Sequence, residues 1–214
     1  MIRIAVLASG HGSNLQALID ACQSGQIRGD IVGVISNQPD AHALVRAEKA
    51  GLRYCLIDHR HFEDRASFEN ELIQTLQSWQ VDLIVLAGFM RVLTANFVTR
   101  YSGQILNIHP SLLPAYKGLH THQRVLDSGD QLHGCSVHFV TPELDAGAVI
   151  AQSIHLIEPH ETLDSLKLAV HRLEHQLYPR IIGWIAAGRV AFLGNQVYLD
   201  GALMSHPIRF WQHG

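Results

Sequence analysis

Hydrophobic positions in the first half of the chain fall into short unbroken runs separated by segments with helical spacing. The runs are Ile2–Ala8, Ile31–Ile35, Arg53–Ile57 and Leu83–Ala87. Between them lie Asn14–Cys22, Ala41–Ala50 and Ser67–Trp79, the last carrying Phe68, Leu72, Ile73 and Leu76 on one helical face. Consecutive apolar residues suit a strand covered on both faces, the usual condition of a parallel sheet. Strands alternating with helices predict an α/β fold, a doubly wound and mostly parallel sheet with helices on both faces. Ile105–Ile108 adds a strand that ends at His109-Pro110. After Pro114 the rhythm changes. Cys135–Val140 and Val149–Leu156 are β-rich runs joined by Thr141–Gly147, which predicts an antiparallel C-terminal portion. A helical pattern then runs from Leu163 to Ala187, with a kink expected at Pro179, and Gln196–Leu199 reads as a small terminal strand. Without repeats or a flexible linker, one domain is the economical reading.

Composition narrows the class. Of 214 residues, 47% are hydrophobic and only 16% charged, so the chain can bury a sizeable core. A net charge of −3 offers no basic footprint for nucleic acid. The longest apolar stretch, Leu83–Met90, is far short of the ~20 residues of a membrane helix. No small-residue cleavage site follows the first apolar run, so no signal peptide is expected. Cys22, Cys55 and Cys135 are odd in number and widely spaced, which fits reduced thiols in the cytoplasm. The unusual count is 15 histidines.

Two stretches carry candidate chemistry. Gly10-His11-Gly12-Ser13-Asn14 sits where a parallel sheet holds its ligands, at the carboxyl end of the first strand and the start of a helix. Helix amides and the Ser13 hydroxyl suit a phosphate group. A dinucleotide fingerprint fails, because Leu15 stands where its third glycine belongs and the second strand ends in Ser36-Asn37 without an acid. The other reading, that Ser13 or Asn14 merely caps a helix, stands beside the phosphate one. In Asn107-Ile108-His109-Pro110-Ser111-Leu112-Leu113-Pro114, residues 107 and 109 share one face of a strand. Asp145 reaches that face if the sheet is continuous. An amide and a protonated imidazole can stabilise a tetrahedral oxyanion, and a carboxylate favours the charged imidazole. Ser111 lacks the setting of a nucleophile elbow.

With Ala87-Gly88-Phe89-Met90-Arg91, Gly134-Cys135-Ser136-Val137-His138-Phe139-Val140 and Leu144-Asp145-Ala146-Gly147 added, these motifs closely resemble the phosphoribosylglycinamide formyltransferases, over roughly residues 1–190. The resemblance implies the formyltransferase fold in residues 1–190, with 191–214 as a tail packed on the same domain. It implies formyl transfer from 10-formyltetrahydrofolate to the amine of 5′-phosphoribosylglycinamide in purine synthesis. These two small molecules would be the partners, with no nucleic acid, membrane or metal called for and the oligomeric state left open. Asn107, His109 and Asp145 would be the catalytic trio, with His109 as proton donor. Gly12, Ser13 and Asn14 would hold the ribonucleotide phosphate, and His171, Arg172, Leu173 and Glu174 would help bind the ribonucleotide, Glu174 near its amine or ribose. Arg65, Met90, Arg91, Val92, Leu93, Asn107, Thr141, Pro142, Glu143, Leu144 and Asp145 would line the folate site. His11 and Cys135 occupy positions that vary in the family, and nothing is carried over beyond residue 190.

Other patterns compete. His171-Arg172-Leu173-Glu174-His175 fits an inverted zinc-peptidase motif, H-x-x-E-H, but three fixed positions are weak evidence among so many histidines and no third acidic ligand is identifiable. His120-Thr121-His122 and His59-Arg60-His61 need no metal either. Trp79 and Trp184 read as core packing. Methionyl-tRNA formyltransferase and formyltetrahydrofolate deformylase share the Asn-x-His…Asp constellation, but the first adds a C-terminal tRNA domain and the second an N-terminal regulatory domain; the chain length favours neither. A non-catalytic nucleotide- or folate-binding module would keep Gly12–Asn14 without needing Asn107, His109 and Asp145 together.

Overall fold

Alternation along the first strand divides the core in two. In the computed structural model, which describes residues 1–211, β1 (Ile2–Leu7) sends Ile4 and Val6 into one buried cluster and Ala5 and Leu7 into another. The next elements are α1 (Ser13–Gln23), β2 (Gly29–Ser36), α2 (His42–Lys49), β3 (Tyr54–Leu56), α3 (Arg65–Ser78) and β4 (Leu83–Leu86). Then come α4 (Ala95–Arg100), β5 (Ile105–His109), α5 (Thr121–Ser128), β6 (Leu132–Phe139), β7 (Val149–Leu156) and α6 (Leu163–Ala186). The last are β8 (Val190–Leu193), β9 (Gln196–Leu199), β10 (Ala202–Leu203) and β11 (Ile208–Trp211).

Eight strands form the main sheet, in the order β11-β7-β6-β5-β4-β1-β2-β3. From β5 to β3 every pairing is parallel; β6 runs antiparallel to both β5 and β7, and β11 runs parallel to β7. This is the mostly parallel sheet with an antiparallel portion that the apolar runs predict. The two clusters lie on its two faces. Leu15 and Leu18 of α1 and Leu173, Leu177 and Tyr178 of α6 belong to one; Phe68, Leu72 and Leu76 of α3 and Phe97 of α4 belong to the other. Trp79 is buried in the second cluster, while Trp184 is only partly buried against the first.

The structure departs from the sequence reading in several elements. α6 continues unbroken through Pro179, whose missing N–H leaves the His175 carbonyl without its helical donor. The Tyr178 hydroxyl beside it donates to the carbonyls of Leu86 (2.9 Å) and Leu106 (3.1 Å), pinning α6 to β4 and β5. Two short helices, α4 and α5, fall in stretches with no apolar period. Beyond residue 190, β9 is joined by β8 and β10 in a second, three-stranded sheet, and β11 extends the main one. Phe192 of β8 packs on Phe139 with ring centroids 4.6 Å apart. The tail's final residues, 212–214, lie outside the described residues. All three cysteines are free thiols, and burial pushes those of Cys22 and Cys55 up to about 11.

Candidate active site

β5 is the strand at which the sheet changes direction, and its carboxyl end carries the candidate residues Asn107 and His109. Ile108 points into the core, leaving Asn107 half-buried and His109 only 6% exposed on the opposite face. His109 Nε2 lies 2.9 Å from the backbone carbonyl of Tyr116. A carbonyl can only accept, so Nε2 carries a hydrogen and Nδ1 is the ring nitrogen free to gain and lose a proton. Nδ1 faces Asp145 Oδ2 at 3.5 Å. Asp145 reaches it because the β6–β7 loop folds back over the sheet, with Asp145 itself in the left-handed region (φ 48°). That approach requires Gly147, where a Cβ would stand 1.7 Å from the Phe139 carbonyl oxygen. Asp145 Oδ2 also accepts the Gly118 N–H at 2.9 Å, so the segment after β5 touches both members of the pair.

A third histidine fixes the asparagine. His138 stands opposite Asn107 in the antiparallel β5–β6 register. Its Nδ1 donates to the Phe139 carbonyl at 2.9 Å, and burial holds its imidazole below the usual range, so the ring is neutral and Nε2 is a bare acceptor. The Asn107 atom 3.2 Å from that nitrogen is therefore the amide Nδ2. One Nδ2 hydrogen and the amide oxygen remain for the cleft. His138, Tyr116 and Gly118 carry no assigned role in the sequence reading, because each acts through a tertiary neighbour.

The glycine loop lies after β1, two strands from β5. Gly12 is the N-cap of α1 (φ 74°), packed so closely on α2 that a Cβ would meet the Ala43 Cα at 2.8 Å. No side chain caps α1; Ser13 opens the helix instead of capping it, and Asn14 turns its Nδ2 to Glu174 Oε2 at 2.9 Å. The simple capping reading therefore fails, since no side chain makes the N-cap hydrogen bond at this helix start. Glu174 is 4% exposed, and burial pushes its carboxyl up to about 7 against the opposing Asn14 hydrogen bond.

Residues 2–182 match the family model described as formyl transferase. The phosphoribosylglycinamide formyltransferase of Escherichia coli (strain K12) is 46% identical over 200 residues, 94% of each chain. The chain belongs to the phosphoribosylglycinamide formyltransferase family. The Haemophilus influenzae relative of the same name is 46% identical over 201 residues, 94% of this chain and 95% of its own. The solved structure of the Coxiella burnetii phosphoribosylglycinamide formyltransferase, in complex with CHES, superimposes with a TM-score of 0.94 at 48% identity, covering 98% of this chain and 99% of that one.

In this formyltransferase the remaining residues implied by resemblance divide by placement. On α6, His171 is exposed and Glu174 faces Asn14, whereas Leu173 is buried in the core and Arg172 is exposed without joining that contact. Met90 is 69% exposed, and Val92, Pro142, Glu143 and Leu144 are exposed too; Thr141 is half-buried and Leu93 is buried. Arg65 opens α3 at the surface, and the Arg91 guanidinium lies 4.8 Å over the Phe68 ring. Ser9 links the two sides of the site: its hydroxyl accepts the Met90 N–H at 2.7 Å and donates to Asn37 Oδ1 at 2.5 Å. In the H-x-x-E-H segment the His171 and His175 rings stack 6.3 Å apart while Glu174 is held by Asn14. Among the described residues no group of three or more His, Cys, Asp or Glu is arranged to hold a metal, and no helix is long and apolar enough to cross a membrane.

Proposed function

We propose that this formyltransferase moves the formyl group of 10-formyltetrahydrofolate to the amine of 5′-phosphoribosylglycinamide, a cytoplasmic step of purine synthesis, with residues 1–190 as the formyltransferase domain and 191–214 packed on it. The observation that carries the reading is the meeting of His109 Nδ1, Asp145 and the Asn107 amide on one side of β5, two strands from an uncapped helix N-terminus. The phosphate of the ribonucleotide takes the amides of Gly12–Asn14 and the Ser13 hydroxyl. His171 and Glu174 help bind the ribonucleotide, Glu174 near its amine or ribose, and the exposed apolar rim of Met90, Val92 and Leu144 takes the folate ring.

The amine attacks the formyl carbon, and the carbonyl electron pair moves to oxygen. Asn107 Nδ2–H and protonated His109 Nδ1 stabilise that oxyanion, with Asp145 assisting as the counter-charge beside the imidazole. Collapse returns the pair to the carbon–oxygen bond and releases folate N10, which takes up a proton as the new amide nitrogen gives one up. Asp145 and His109 are placed to pass it. No covalent enzyme intermediate and no metal are needed.

The test is a formyl-transfer assay with both substrates and a chelator present. Stoichiometric formylated ribonucleotide is expected, with activity unchanged by the chelator. Formate release without formylated ribonucleotide would make the protein a hydrolase and overturn the reading.

A further inference from the structure

The glycine loop is ringed by imidazoles beyond those the reaction uses. His11, between Gly10 and Gly12, stacks on His42 at the start of α2, with ring centroids 5.4 Å apart and planes 14° from parallel. Arg46 holds His11: its Nε donates to the His11 carbonyl at 2.9 Å, its Nη1 donates to Gln16 Oε1 at 3.1 Å, and its Nη2 lies 3.4 Å from both His11 ring nitrogens. From α6, the exposed His171 has its imidazole held below the usual range by partial desolvation and by neighbouring His11 and Lys167. His175, on the same face, has a buried Nε2 without a hydrogen-bond partner. His122 of α5 lies within electrostatic reach of His171, with its Nδ1 3.0 Å from His133 Nε2 and burial holding its imidazole down to about 4.

The nearby acids are engaged elsewhere. Glu174 turns to Asn14, Asp20 of α1 accepts from Gln16, Glu48 of α2 accepts from Tyr54, and Asp164 pairs with Lys167. Stacked imidazoles next to a guanidinium repel one another when charged, so the cluster is built for a guest that supplies negative charge. A phosphate monoester does so: its second ionisation lies near pH 6, and imidazoles as a class titrate in the same range.

We propose that His11, stacked on His42, and His171 close over the substrate's phosphate when protonated, so that recognition of the ribonucleotide strengthens as the pH falls toward 6.5. This rests on the phosphate-loop reading above. Binding of the dianion draws protons onto the rings, and as the pH rises toward 8.5 those contacts are lost.

The test is the KM for the ribonucleotide between pH 6.5 and 8.5 in the unaltered protein, in His11→Asn/His42→Gln, in His171→Gln and in Ser13→Ala. Partly exposed charge contacts give about two- to fivefold each, so the unaltered KM should rise by roughly tenfold across this range. Both sets of histidine variants should flatten the rise; His11→Asn/His42→Gln should converge on the unaltered value at pH 8.5, while His171→Gln stays above it because His171 also helps bind the ribonucleotide, with the folate KM unmoved throughout. Ser13→Ala should raise the ribonucleotide KM at every pH without altering the slope. In ¹⁵N-histidine spectra, inorganic phosphate at pH 6.5 should shift the His11 and His42 ring nitrogens toward the protonated position. An unaltered slope in the histidine variants, with Ser13→Ala still raising KM, would overturn the histidine cap alone. A Ser13→Ala variant without effect at any pH would overturn the phosphate loop and the cap with it.

Discussion

At the scale of single residues, the Tyr116 carbonyl decides what His109 can do. It holds Nε2–H, which leaves Nδ1, the nitrogen that Asp145 faces, as the one the proposed proton transfer would use. Asp145→Asn keeps the shape and removes the charge; kcat should fall by about 10²–10³ while both KM values change little. Combining it with His109→Ala should cost little more than His109→Ala alone, because the pair acts as a unit. Steady-state kinetics of the three variants check this, and multiplicative losses would give Asp145 a separate role. Glu174 affords a stability test. Its carboxyl is raised from 4.5 to about 7 by burial, so between those values the folded state keeps a proton that the unfolded state has lost, and stability falls as pH rises through that window. Glu174→Gln, which still accepts from Asn14, should match the unaltered protein at pH 4 and exceed it at pH 8 by on the order of 3 kcal/mol in urea melts. Equal stabilities at pH 8 would contradict the burial effect.

At the scale of elements, the segment between β5 and α5 works as a brace. Arg124 of α5 donates to the Lys117 carbonyl at 2.6 Å, and its guanidinium lies 5.4 Å over the Tyr116 ring, so α5 holds the peptides that touch His109 and Asp145. Arg124→Ala should lower kcat about 10- to 100-fold through misplacement of the catalytic groups, with the melting temperature nearly unchanged. Kinetics paired with thermal melts check it; a melting temperature that falls with the rate would mark plain unfolding. The helix that supplies Arg124 was not legible in the sequence, and neither was α4. α4 is six residues long and its start is fixed from a distance, with buried Glu69 of α3 accepting from the Thr94 backbone and hydroxyl. β6 also begins earlier than its apolar run, at Leu132. Gly134 reads locally as a breaker, yet a Cβ there would stand 1.9 Å from the Ser153 carbonyl oxygen, so glycine is what lets β6 and β7 pair. Asn107 and His109 were legible because period two needs only the chain itself. His138 was not, since its meeting with Asn107 depends on the register of two strands 31 residues apart.

At the scale of the whole molecule, both halves of the core share the same strands. Leu72→Ala on one face and Leu177→Ala on the other should each cost about 2–5 kcal/mol and shift one common unfolding transition. Urea titrations followed by fluorescence and by circular dichroism should coincide for both variants; two separate transitions would show that the faces unfold independently. The parallel half was visible in the sequence because strands buried on both faces are apolar throughout, as in Leu83–Leu86. The C-terminal edge was less visible because β8, β10 and β11 are two to four residues long, with exposed positions in each. The order β5-β4-β1 has one more effect. Neighbouring strands lie about 4.8 Å apart, so the glycine loop and the Asn107–His109 pair are separated laterally by roughly 10 Å of hydrogen-bonded backbone. Hydrogen-bonded strands stretch very little. The sheet is thus a rigid ruler, and under the proposed function it would make the distance between anion and amine, more than the identity of the atoms joining them, the property by which a substrate is chosen.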